Sequence, residues 1–147
     1  YKPTRDDVAT ILSGDIVFYS GLMLEGKLAS TLEKLSSRQR VFAVTDRLPK
    51  DRLLQEAGAE GHPDPHVWMD VSMWSEAAKE IAVALEQHDP AHSQEYRANF
   101  DRYALQLSQL HQYGIDAVAT IPQESRLLIT SHDAFNYLGR AYGVEVM

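Results

Sequence analysis

The chain has 147 residues, of which 44% are hydrophobic and 24% charged, with a formal net charge of −7 and no cysteine. The acidic balance argues against nucleic acid as a partner, because phosphates call for clustered Lys and Arg. The lack of thiols excludes disulfides, redox motifs and thiolate metal sites, so a bound metal would have to use imidazole and carboxylate, which suits zinc, manganese and iron(II).

The first segment, Thr4 to Ser13, opens with a capping pattern of Thr4 and Asp7, and Val8, Ile11 and Leu12 follow at helical spacing. Ile16-Val17-Phe18-Tyr19 reads as a strand, broken by Ser20-Gly21. Leu24, Leu28, Leu32 and Leu35 form a helical stripe, and Val41-Phe42-Ala43-Val44 is a second strand. Strands alternating with helices predict a parallel sheet covered by helices. Residues 45–65 carry Asp, Gly and Pro without periodicity and predict a long surface loop. Asp70 is placed to cap a helix with Trp74, Ala78, Ile81 and Leu85 on one face, and Asp89-Pro90 opens the next.

That next helix carries Tyr96, Phe100, Tyr103, Leu107, Leu110, Gly114 and Val118 at alternating steps of four and three, until Pro122 stops it. About 30 helical residues span roughly 45 Å, more than one small lobe needs, so a connector between two lobes is expected. Leu127-Leu128-Ile129-Thr130 is then a strand. Ser131 or Thr130 is expected to cap a helix running through Ala134 to Tyr142, Gly143 ends it, and Val144–Met147 begins another strand. The expected fold class is α/β, with two lobes of parallel sheet flanked by helices. Residues 1–89 form the first lobe, 90–121 the connector helix and 122–147 the start of the second lobe. Two strands alone leave open sheet edges, so the chain reads as a truncated fragment whose edges would favour self-association.

Six histidines are present, and two stand out by position. His66 lies in Asp64-Pro65-His66-Val67-Trp68, between a loop and a helix, and His132 lies in Thr130-Ser131-His132-Asp133, where a strand gives way to a helix. Ligands of open α/β sheets gather at the carboxyl ends of strands. One imidazole per lobe would make a clamping site in the cleft, with Asp64, Asp70 and Asp133 available to fix ring tautomers. Equally, a histidine ahead of a helix often caps or packs, and a spacing of 66 residues is no motif. His88 and His92 are divided by Pro90, and with His111 they read as surface residues; His62 sits in the loop near His66. Met23 stands alone, and Glu56 and Glu60 have no convergent carboxylate partner.

Three segments in this order carry a resemblance: Tyr1-Lys2-Pro3-Thr4 through Phe18-Tyr19-Ser20-Gly21-Leu22-Met23-Leu24-Glu25, then Asp64-Pro65-His66-Val67-Trp68-Met69-Asp70, then Thr130-Ser131-His132-Asp133-Ala134-Phe135. The chain resembles the periplasmic metal-binding family, TroA- and ZnuA-like, of solute-binding proteins that serve zinc and manganese ABC transporters. The resemblance implies two α/β lobes joined by a rigid helix, with one metal between them. It places two of four family ligands on His66 and His132. Another would lie just upstream of Tyr1, and the last, a carboxylate, beyond Met147. The His-rich loop of zinc-specialised members is not matched, since residues 45–65 hold His62 alone. The implied function is non-enzymatic: capture of a divalent metal ion (zinc, manganese or iron) and delivery to a membrane permease of the ABC type. The setting is periplasmic or otherwise extracytoplasmic, with a lipid anchor compatible. The rivals are a zinc hydrolase with Asp133 as base, and a surface adhesin of the same family.

Overall fold

The structure, a computed structural model, describes residues 4–36, 40–55 and 61–147. Tyr1, Glu56 and Glu60 lie outside the described residues. Thr4 opens α1 (Arg5–Leu12) with the expected reciprocal cap: Asp7 N donates to Thr4 Oγ1, and Thr4 N donates to Asp7 Oδ2 at 2.7 Å. β1 (Val17–Tyr19) and β2 (Val41–Ala43) pair in parallel, with Val17 opposite Val41 and Tyr19 opposite Ala43. Between them α2 (Ala29–Ser36) buries Ala29 and Leu32.

The stripe beginning at Leu24 does not form one helix. Gly21, Leu22 and Met23 all take positive φ, at 90°, 53° and 64°, Gly26 inside the stripe does so again at 53°, and Gly26–Leu28 form a separate 3-10 turn. Left-handed backbone cannot continue into a right-handed helix. The turn is stapled by the Glu25 carboxylate, which accepts hydrogen bonds from Ser20 N (2.6 Å) and Gly21 N (3.2 Å). Gly21 is required there for a second reason: a Cβ would lie 2.6 Å from Thr45 Oγ1.

The 45–65 segment is more ordered than its composition implies. Lys50–Arg52 form a 3-10 turn, Gln55 bridges Pro63, and Leu48 is buried. Asp70 then caps α3 (Val71–His88), accepting from Ser72 N and Met73 N as expected. Ala78 of the predicted stripe is buried, yet Met73 and Ala77, one position over, are the deepest residues of α3. The helix is covered on two sides rather than one.

α4 (Ser93–Ala119) packs back along α3. The pairs Glu86–Arg97, near the turn, and Trp74–Tyr103, farther from it, make the two helices antiparallel. Its 27 residues span about 40 Å. It stops at Ala119, a few residues short of Pro122, where Arg126 donates to the carbonyls of Ala119 and Ile121 and so satisfies the exposed helix end.

β3 (Leu127–Leu128) and β4 (Glu145–Val146) pair in parallel on either side of α5 (Asn136–Tyr142). Gly143 ends α5 in the left-handed conformation, as expected. The start of α5 differs from expectation. Neither Thr130 nor Ser131 caps it; Thr130 Oγ1 instead accepts from His132 N at 3.3 Å, and the helix begins only at Asn136. His132 therefore sits on a bend and not in a helical first turn. From α5, Tyr137 enters a core with Leu48, Val67 and Met73, against which Leu22, Leu53, Leu54 and Met69 pack.

Candidate metal centre

His66 and His132 are brought together from positions 66 residues apart: their ring centroids lie 5.1 Å apart with the planes at 81°. Two imidazoles bound through nitrogen to one tetrahedral zinc at about 2.05 Å would have centroids about 5.2 Å apart, close to the observed spacing.

The His66 ring is oriented from behind. Asp64 Oδ1 accepts from His66 Nδ1 at 2.7 Å and from the His66 backbone N at 2.9 Å. This contact with Asp64, whose side chain is only 2% exposed, places the proton of a neutral His66 ring on Nδ1. That leaves the Nε2 lone pair for a ligand, the arrangement that a metal-binding histidine needs. Trp68 packs edge-on against the same ring at 5.3 Å. His132 is exposed, and the contact of its ring among the described residues is with His66.

Of the three aspartates considered as supports, only Asp64 is bonded to the ring of His66 or His132. Asp70 caps α3 and draws in Arg52 (3.6 Å) and Arg140 (3.5 Å). Asp133 accepts from Asn136 Nδ2 at 2.6 Å. Two residues that sequence reasoning passed over belong here. Tyr137 OH donates to the Asp64 carbonyl and accepts from Leu54 N, each at 3.0 Å, and Asn136 Nδ2 reaches Asp64 Oδ2 at 3.4 Å. Burial pushes the Tyr137 phenol above its ordinary pKa, keeping it a donor. Their position four and five residues after His132 was the available signal, but one needing the partner segment to interpret.

Of the other histidines, His62 is exposed, and the remaining three are engaged elsewhere. His92 pairs with Asp89, His88 meets Arg40, and His111 is half-buried against Tyr142 rather than simply solvated. Among the described residues no group of three or more His, Asp or Glu is arranged to hold a metal. No helix among them is long and apolar enough to cross a membrane.

Parallel strands joined through helices, a 27-residue helix and two neighbouring imidazoles with an aspartate behind one of them make up an α/β protein. The family model described as "ZnuA: Zinc-uptake complex component A periplasmic" matches residues 1–147, and the chain belongs to that family. It is 38% identical over 146 residues to the manganese-binding lipoprotein MntA of Bacillus subtilis, covering 99% of this chain and 47% of that protein. The periplasmic zinc-binding protein TroA of Treponema pallidum superposes on all of it with a TM-score of 0.94 and 36% identity, this chain covering 52% of TroA. Fe(III)-bound YtgA of Chlamydia trachomatis superposes on 97% of it with a TM-score of 0.85 and 33% identity, over 50% of YtgA. The chain thus spans about half the length of the relatives it matches.

Proposed function

We propose that this chain captures a divalent transition-metal ion between His66 and His132, as part of an extracytoplasmic solute-binding protein that delivers the ion to an ABC-type permease. The 5.1 Å approach of the two rings, with Asp64 holding His66 Nδ1, carries this reading. In it, residues 1–89 and 122–147 belong to two lobes, 90–121 to the helix between them, and the metal is cargo rather than a catalyst. Nitrogen donors favour zinc over manganese in intrinsic affinity, so supply would decide the cargo. The names of the relatives, which bind manganese, zinc and iron(III), fit a scaffold tolerant of several ions. Two imidazoles leave two tetrahedral positions to water or other donors, which predicts weak binding by these residues alone. Family membership supports a binding protein over a hydrolase, and Asp133, the base that a hydrolase would use, is engaged by Asn136.

Calorimetric titration with zinc and with manganese tests this. One-to-one binding is expected, lost in both His66→Ala and His132→Ala. Titrations that neither substitution alters would sink the assignment.

A further inference from the structure

Asp64 does more than orient one ring. Its Oδ1 takes both hydrogen bonds from His66, its Oδ2 takes one from Asn136 Nδ2 at 3.4 Å, and its carbonyl takes one from Tyr137 OH. The same Asn136 nitrogen donates to Asp133 Oδ1 at 2.6 Å, next in sequence to His132. A primary amide carries two N–H groups on one nitrogen, so it can serve two carboxylates at once without adding charge. A hydroxyl has one proton to give, and an ammonium would add a cation beside the metal. The amide donor is shared between buried Asp64 and exposed Asp133, and so bridges the two acidic side chains.

We infer that Asn136 is a positioning residue for metal capture. Its amide holds Asp64 and Asp133 in register, which locks His66 in the Nδ1–H tautomer and ties the bend carrying His132 to the segment carrying His66. Because Asn136 lies on the first turn of α5, the two ligand segments move as a unit when that helix moves. The inference rests on the reading that His66 and His132 hold the ion. It adds that the geometry of the pair is set by a residue that touches neither ring.

The test uses the 147-residue chain with Asn136→Leu, which keeps the volume of the side chain and removes its donors. Nitrogen-15 NMR of the metal-free protein reads the His66 tautomer, and cobalt(II) titration reads affinity together with the ligand-field spectrum. The unsubstituted chain should show His66 as Nδ1–H alone. Asn136→Leu should show both tautomers, bind cobalt about 10- to 100-fold more weakly and shift the ligand-field bands. A single unchanged tautomer in Asn136→Leu, or affinity within twofold of the parent, would overturn the inference. Should Asn136→Leu fail to fold, Asn136→Ala takes its place, and a parent chain with His66 as Nε2–H overturns the proposal by itself. Cobalt binding that survives His66→Ala overturns the metal reading instead, a failure distinct from an unshifted tautomer.

Discussion

Gly114 sits on α4 where the ordinary rule for a helical glycine reverses. In an exposed helix interior, Gly→Ala gains about 1 kcal/mol. Here an added Cβ would lie 2.7 Å from the ring of Tyr142, whose hydroxyl accepts from Val71 N and meets His111 Nδ1 at 3.3 Å. The glycine is a notch through which α4 receives α5. Gly114→Ala should therefore destabilise the fold by about 1–3 kcal/mol, the usual cost of overpacking. The measurement is the urea midpoint at unchanged m-value; a rise in the midpoint would mean that Tyr142 has another place to go. In the sequence, Gly114 is simply one more member of a regular stripe, and nothing local marks Tyr142 as its partner.

At the scale of the element, α3 shows how a legible signal acquires a second task. Asp70 is readable as a helix cap from its place before the apolar run, and it caps. It is also buried, with Arg52 from the 45–65 segment and Arg140 from α5 converging on it. Arg140 further donates to the Arg52 carbonyl, and its guanidinium lies 5.1 Å from the centre of the Tyr137 ring. Asp70→Ala loses the cap, worth about 1 kcal/mol, and leaves two guanidinium groups short of an acceptor. Since both are about one-third exposed, water softens that loss, and the total expected is roughly 2–3 kcal/mol in urea unfolding. Asp70→Asn keeps a good cap and should cost about half as much. Equal costs for the two substitutions would show that the cap contributes nothing, and a cost-free Asp70→Asn would show the same of the arginines.

For the molecule as a whole, the proposed metal site and the fold share a dependence on long-range order. The unfolded chain holds His66 and His132 on segments 66 residues apart, so it has no site to offer. An ion that binds the native state alone stabilises it by mass action, by about 2.7 kcal/mol at 100 times Kd. Zinc at that excess should raise the thermal midpoint, a chelator should reverse the rise, and His132→Ala should abolish it. A zinc-induced rise that persists in His132→Ala would place the stabilising ion elsewhere.

Much of the architecture follows from short-range chemistry alone. The Thr4 and Asp70 caps, the strands at Val17 and Val41, the long α4 and its stop before Pro122, and the left-handed Gly143 are all written in local residue types and periodicity. His66 and His132 stand out because each marks the edge of a helix-bearing segment. What the sequence could not decide is what depends on two distant segments meeting. The left-handed run at Gly21–Met23 depends on Glu25 and Thr45. Thr130 serves His132 rather than the helix, and Asp64, not Asp70 or Asp133, orients His66. Asn136 and Tyr137 gain their roles only when α5 lies against Asp64 and Leu54. Periodicity reports which face of an element is apolar, whereas a hydrogen bond between residues 64 and 136 exists only after packing has brought them within a few ångströms.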